Sequence, residues 1–526
     1  MSTRLVIVAF WAFILVGLPF WWKTTEVYRA NLPLNEIKAW QEDQTPRLEL
    51  PITFIVHSAI DVTRSLQDRL SEKTQIIASC AIFPVQVKWQ YWTEEKDDNV
   101  EELLARHNDM SFGHYHIYAS SSPSSSSAVP CNITVGNART SHVRVVDMSQ
   151  ESIAEAVMKL FDSAFVEEYK QLDQMACGTR NSDSKNDMSS MRSFKYSPRY
   201  QITFSLMNND PEHLLVDWDI REAVKSYMHP LLKEISMVSN FTVDSQIQNY
   251  ASLSIPPFER ERPGKPSYYY YEQGQLSHFI NSADWNLAST ISSYPTVNFI
   301  LYIPSPTQRL WIHDVHNRPL PDNAFLIPRW GGVLIKNLPK APDGHYRLDK
   351  QKLHSTMRIF VSQLRSLIGI HEHDSLETSD TSITYLTSPH TGITLLEKDN
   401  LIRRCTVENI ANAAKTLNSL AQLVTEIPNM VVLEEINTQV RHSLRDLELG
   451  SEALRNADYE SALKHSIRAT KLAEEAFFNP TMVSMLYFPD EHKYAIYMPL
   501  FVPISVPLVM AVLKGLKRKE PKKKTE

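Results

Sequence analysis

Two uncharged apolar runs, one near each end, constrain this chain of 526 residues more than any other feature. Residues 5–22 read LVIVAFWAFILVGLPFWW, and residues 494–513 read YAIYMPLFVPISVPLVMAVL. A helix rising ~1.5 Å per residue needs roughly 20 such residues to cross a hydrocarbon core of ~30 Å. Both runs are therefore expected to be transmembrane helices. A secretory signal peptide would have a shorter apolar core and small residues at a cleavage site. The first run instead ends in Phe20, Trp21, Trp22 and Lys23, and bulky aromatics suit a membrane interface, so an uncleaved anchor is expected. Lys514, Lys517, Arg518, Lys519, Lys522, Lys523 and Lys524 follow the second run, and Arg4 precedes the first. Basic flanks stay in the cytosol, which puts both ends there and the body on the far side.

The expected organisation is a cytosolic N-terminus (1–4), a span (5–22), a lumenal mixed α/β region (23–400), a lumenal helical region (401–490), a span (494–513) and a basic cytosolic tail (514–526). Candidate lobes within the α/β region are 50–175 and 199–370. Lys523 and Lys524 lie where a dilysine retrieval signal would sit, a receptor-read address rather than an anchor. Asn132-Ile-Thr134 and Asn240-Phe-Thr242 are N-glycosylation acceptor triplets.

Composition excludes several classes. With 13 glycines the chain is well below the usual ~7%, and it contains neither GxxxxGK[ST] nor GxGxxG, which argues against a nucleotide-binding enzyme. HExxH and GxSxG are also absent. The net charge is −6 although the tail is basic, so the body is acidic and no nucleic-acid partner is expected. Cys80, Cys131, Cys177 and Cys405 allow three pairings, or none, and spacing does not choose.

Between the ends, β-branched and alternating segments predict strands at 52–57, 85–92, 115–119, 142–146, 201–207, 241–249, 297–303, 310–314 and 332–336. Helical stripes predict helices at 62–70, 152–171, 219–238 (despite Pro230), 276–291 and 353–368. Residues 120–130 and 178–199 read as a Ser/Pro-rich loop and a polar linker, and 256–273, with four prolines, as an irregular connection. Ile52-Thr53-Phe54 and Ile202-Thr203-Phe204 both open a strand–helix run, but three residues do not establish a duplication. From 401 to 478 the pattern is helical, with small residues in a helical hairpin at 453–476 similar to one tetratricopeptide unit; one copy is not a repeat array.

No constellation for chemistry emerges. None of the cysteines sits in a caspase- or papain-like context. His371-Glu372-His373 and His114-Tyr115-His116 lack the further converging ligands zinc needs and read as solvated turns, so no metal site is expected. Trp330-Gly331-Gly332 reads as a bend entering a strand, with a partner anchor as the rival reading. Pro499, Pro503 and Pro507 recur every four residues on one face of the second span. Each removes a backbone donor, and the freed carbonyls need partners in lipid, so this face is a candidate membrane-helix contact.

At this point a resemblance enters. The segment 17–33, GLPFWWKTTEVYRANLP, resembles the N-terminal signature of the PIG-S family, a subunit of glycosylphosphatidylinositol (GPI) transamidase. YQITFSLM (200–207), VDSQ (243–246), LSHFINS (276–282), PRWGG (328–332) and, within 476–509, AFFNP, LYFPDEHKYAIYMPLF and VPISVP are similar to further family blocks in family order. The resemblance implies a non-catalytic subunit of an endoplasmic reticulum membrane enzyme that joins a preassembled GPI to proproteins. It implies no cofactor and no catalytic residue of its own. The partners it implies are PIG-K, which supplies the cysteine nucleophile, PIG-T, PIG-U and an aminopeptidase-like Gaa subunit. The alternatives are an autonomous lumenal enzyme (a thiol hydrolase or glycosyltransferase) and a membrane-anchored adaptor or chaperone.

Overall fold

The computed structural model describes residues 28–41, 48–93, 111–121, 130–177, 196–262, 265–280, 294–370, 372–427 and 430–482, with isolated positions at 104, 285 and 287 and short runs within 9–23 and 495–514. Residues 178–195 of the expected polar linker, most of the Ser/Pro-rich loop, residues 1–4, expected to be cytosolic, and the tail from 515 onward, with Lys523 and Lys524, lie outside these residues. The chain forms two compact units: an α/β unit of residues 47–409 and 450–464, and a helical unit of residues 1–46, 410–449 and 465–526.

The α/β unit contains one topology twice. In lobe A, β1 (Ile52–Ser58), helix α1 (Thr63–Ile77), β2 (Val85–Tyr91), β3 (His114–Ser121), β4 (Cys131–Val135), β5 (Thr140–Val145) and α2 (Gln150–Ala164) follow in that order. Strands β2, β1, β3 and β5 run parallel in that spatial order, and β4 pairs antiparallel on the outer side of β5. A second helix, α3 (Val166–Cys177), continues from α2; the single helix expected over 152–171 is broken at Phe165, which caps α2.

Lobe B repeats the sequence of elements. It has β6 (Arg199–Asn208), β7 (Leu215–Trp218), α4 (Ile220–Ala223), a π-turn (Val224–Met228), α5 (His229–Glu234), β8 (Asn240–Asn249), β9 (Phe258–Arg262), β10 (Lys265–Glu272), β11 (Thr296–Ile303), β12 (Leu310–His313), β13 (Ala324–Ile327), β14 (Gly331–Ile335), β15 (His345–Leu348) and α6 (His354–Ile368). Strands β8, β6, β11 and β14 are parallel in that order, and β13 is antiparallel on the outer side of β14. Thus β1, β2, β3, β4 and β5 correspond to β6, β8, β11, β13 and β14. The helix after the fifth strand has 15 residues in both lobes. Ile52 pairs with Val85 and Ile202 with Val243, so the two Ile-Thr-Phe triplets occupy the same place.

Lobe B differs by insertion. Residues 256–273, expected to be irregular, form the β9–β10 hairpin, and β10 also pairs with β12. The run Tyr268–Tyr271 is β-forming, and Tyr271 is buried against Phe279. The helix expected over 276–291 is represented by one 3₁₀ turn at Gln273–His278; most of 281–293 lies outside the described residues. The helix expected over 219–238 is real but interrupted. Pro230 has no N–H to bond the carbonyl four residues back, and the preceding turn widens so that the His229 N–H reaches the Val224 carbonyl.

After lobe B the chain returns to lobe A. Strand β16 (Leu376–Glu377) pairs with β17 (Thr381–Tyr385), which adds parallel to β4. Helix α7 (Leu395–Glu426) follows, and its first part, through Asn409, belongs to the α/β unit.

In the helical unit, the expected stripes of α7 and of α8 (Glu434–Arg455) are buried, among them Ile410, Leu417, Leu420, Ile436, Val440 and Leu447. Ala469, Ala473 and Ala476 of α9 (Tyr459–Phe477) are fully buried, and the Ser443 hydroxyl donates to the Ala469 carbonyl at 2.8 Å, a close approach that small residues permit. Among the described residues no helix is long and apolar enough to cross a membrane. The described positions within 5–22 and 494–513 are helical, and Phe13 and Val506 stand 79% and 56% exposed.

Candidate functional site

The residues singled out from sequence fall in separate places. Asn132 is half-buried on β4, an inner strand, whereas Asn240 is exposed at the start of the edge strand β8. Pro499, Pro503 and Pro507 are helical and exposed. Of the cysteines, Cys80 and Cys177 form a disulfide with Cα atoms 5.3 Å apart. One turn before Cys177, the Asp173 carboxylate accepts the backbone N–H groups of Ser79, Cys80 and Ala81 at 2.7–2.9 Å, which fixes that loop against α3. Cys131 and Cys405 are free thiols. Burial pushes Cys131 up and Cys405 up to about 12, the opposite of the shift that activates a thiolate.

His114 and His116 lie on strand β3 rather than in a solvated turn; His371 lies outside the described residues, and His373 stacks on Tyr385 at 4.8 Å. Packing accounts for the Gly-Gly pair. A Cβ on Gly331 would meet the Asn298 backbone at 1.8 Å, and one on Gly332 would meet the Gln363 side chain at 2.0 Å. Trp330 is half-buried against the apolar cluster of lobe B, as the bend reading expects.

Lobe A carries a buried ion network. Arg139 holds both oxygens of Asp399 at 2.6 Å, and Arg403 holds Glu168 at 2.7 Å and the Tyr115 hydroxyl at 2.9 Å. Arg403 and Asp399 are wholly buried. Every charge is paired, as burial in a low dielectric demands. The network ties the first turns of α7 to the sheet and to α3.

Beside it lies a cavity of about 590 Å³. One wall is the polar stripe of α6, His354, Arg358, Ser362 and Arg365, at the three- and four-residue spacing that shares a helix face. The π-turn contributes Ser226 and Tyr227, and the loop after β17 contributes Thr387, Ser388 and His390. Pro230 therefore shapes this wall indirectly, and π-turns are frequent at functional positions. Arg365 is committed: it bonds Glu397 at 2.7 Å and approaches Glu372 at 3.5 Å. Imidazole and guanidinium side chains at positions 354, 358 and 365, spacings of four and seven that share a helix face, were the sequence signal for this wall. Nothing in the sequence brings residues near 226, 358 and 390 together.

Comparison with known proteins covers the whole of this architecture. A sequence model described as "PIG-S: Phosphatidylinositol-glycan biosynthesis class S protein" matches residues 8–522. The "GPI-anchor transamidase component PIGS" of Rattus norvegicus is 34% identical over 531 residues, covering 95% of this chain and 92% of the relative. The protein of the same name from Homo sapiens is 32% identical over 527 residues, with 95% and 92% coverage. The "GPI transamidase component PIG-S homolog" of Schizosaccharomyces pombe is 26% identical over 526 residues, with 98% and 84% coverage. A match from residue 8 to residue 522, with relatives aligned nearly end to end, makes this chain a member of the PIG-S family.

Proposed function

We propose that the chain is a non-catalytic, membrane-anchored subunit of GPI transamidase that supports attachment of preassembled GPI to proproteins in the endoplasmic reticulum. The observation that carries this reading is the near end-to-end match to proteins named as components of that enzyme. The partners are PIG-K, PIG-T, PIG-U and the aminopeptidase-like Gaa subunit. The two free thiols support a non-catalytic role, since burial raises both.

The body lies in the lumen, and residues 5–22 and 494–513 span the membrane. A disulfide at Cys80–Cys177 fits an oxidising compartment. Exposed apolar residues such as Phe13 and Val506 fit a lipid or membrane-helix environment. Asn240, exposed at a strand end, is the better placed glycan acceptor; Asn132 would have to accept from an inner strand. Pro499, Pro503 and Pro507 face other membrane helices, and Lys523 and Lys524 serve retrieval.

Purification of the tagged full chain in mild detergent tests the role. Co-purification of a cysteine protease subunit, with GPI attachment lost when the chain is deleted, is expected. A chain that purifies alone, and whose loss leaves attachment intact, contradicts it. Glycosidase sensitivity at Asn240 and protection of the body from protease added on the cytosolic side check the topology.

A further inference from the structure

The outer edge of the lobe A sheet is half closed by a side chain. Among the described residues, β2 stands at the end of the sheet and pairs in parallel with β1 alone. Its even-numbered backbone groups turn to β1: the Pro84 carbonyl accepts from the Ile52 N–H, and the Trp92 N–H donates to the Ser58 carbonyl. The odd-numbered groups therefore turn outward. At the first two of them the Gln67 side chain of α1 stands in for a neighbouring strand. Its Nε2 donates to the Val85 carbonyl at 2.6 Å, and its Oε1 accepts the Val87 N–H at 2.8 Å. Gln67 reaches no further. The Val87 carbonyl, both backbone groups of Trp89 and the Tyr91 N–H have no hydrogen bond among the described residues. Native sheets usually blunt an open edge with proline, a bulge or charge. Here the ladder to β1 is unbroken, and the one charge, Lys88, lies with Gln86 and Gln90 on the face opposite Val87. On the face of Val87 the strand ends in two rings, Trp89 and Tyr91, 37% and 67% exposed and 6.5 Å apart edge to face. The Trp89 indole N–H is tied to Ser58 at 3.2 Å, which holds its ring in place.

We infer that this edge docks a short extended peptide, which pairs with the outward groups of Val87, Trp89 and Tyr91 and lays an apolar side chain against the two rings. Donors and acceptors repeating at every second residue are matched by another backbone in β conformation, the chemistry of strand addition. Gln67 shows this edge already accepting an amide in that geometry. The open stretch from Val87 to Tyr91 spans ~17 Å at ~3.4 Å per residue. A strand of that length buries far less than the ~800 Å² per partner of a stable interface. The small area argues against a second copy of this chain or a permanent subunit contact here, and suits a segment held briefly. The source follows from the subunit reading above, on which this inference rests: the proprotein is the polypeptide that passes through the complex.

The test uses the full chain in detergent and a fluorescein-labelled acetylated octapeptide of alternating valine and threonine, read by anisotropy. A parallel arm N-methylates its four central amides, which keeps the side chains and removes donors on both edges. The unmodified peptide is expected to bind, and the methylated one at least tenfold more weakly. Tyr91→Pro should weaken binding at least tenfold and Tyr91→Ala less, because proline also removes an outward N–H. That N–H bonds nothing in β1, so the ladder survives the change. In the assembled complex, Tyr91→p-benzoylphenylalanine should cross-link on irradiation to a reporter proprotein. No binding, equal affinity for the two peptides, indifference to Tyr91→Pro, or adducts only with a partner subunit or a second copy overturns the inference. Recovery of partner subunits is followed in the same samples. Intact recovery without peptide binding or adduct sinks the edge site alone, whereas lost recovery sinks the subunit reading beneath it.

Discussion

The two lobes share a topology yet treat the second face of their sheets in opposite ways. The ladder registers align them position by position. Where lobe B has Met207, Ile300, Tyr302, Val333 and Ile335, lobe A has His57, His116, Tyr118, Thr140 and His142. The lobe B set is buried in one apolar cluster with Tyr271, Phe279 and Trp285, which its own insertion supplies. The lobe A set is polar and internally bonded: His57 meets His116 at 2.7 Å, His142 meets Ser120 at 2.9 Å, and His57 stacks on Tyr118 at 4.3 Å. The first faces differ too. One residue before its ladder to β3, β5 has Arg139, committed to Asp399; the matching residue of β14 is Gly332, which leaves room for Gln363. Lobe B is thus apolar on both faces, whereas lobe A packs Phe54, Phe161 and Phe165 on one face and adds paired polar groups on the other and a disulfide.

That contrast can be broken in order of effect. The Cys80–Cys177 bridge closes a loop with a sequence separation of 97 in lobe A. Replacing both cysteines with serine should cost about 4–5 kcal/mol by the chain-entropy scale for such a loop, read as a lower denaturation midpoint. A midpoint unchanged from the parent would remove the bridge from the account. Asp399→Ala should cost ~3–5 kcal/mol, because Arg139 is left buried without its partner. A cost below about 1 kcal/mol would mean that water reaches the network.

The histidine pair allows lobe A to be converted toward lobe B. His57→Met and His116→Ile singly should each cost ~1–3 kcal/mol, since each strands a polar partner. The double variant should cost less than the sum, and a measured double-mutant cycle without coupling would show that the pair is not a unit. Gly332→Ala in lobe B should cost ~1–3 kcal/mol, because Gln363 must yield its hydrogen bond to the Phe325 carbonyl.

Local pattern carried much of this fold. Strands such as β1, β6 and β11 announce themselves by β-branched and aromatic runs, and α6 by its stripe. Strands β4 and β17 were not legible: CNITV and TSITY are short, and they pair with each other across nearly 250 residues of sequence. The β9–β10 hairpin was hidden by four prolines, of which Pro266 is the second residue of β10 and the others lie outside the strands. The duplication lay below the reach of three shared residues and appears only in strand order. The cavity was least legible, because its walls converge from distant segments. The disulfide was one of several arithmetical options until Asp173 and the loop it binds were placed.

The subunit reading requires attachment to proceed without a nucleophile from this chain. With Cys80 and Cys177 in a disulfide, only Cys131 and Cys405 remain as free thiols. The direct measurement is GPI attachment to a reporter in cells lacking the chain, complemented with Cys131→Ala/Cys405→Ala, at matched protein level and with recovery of partner subunits checked. Attachment at the parental rate is the predicted result. Attachment lost while level and partner recovery stay unchanged would contradict it and place a catalytic thiol in this chain.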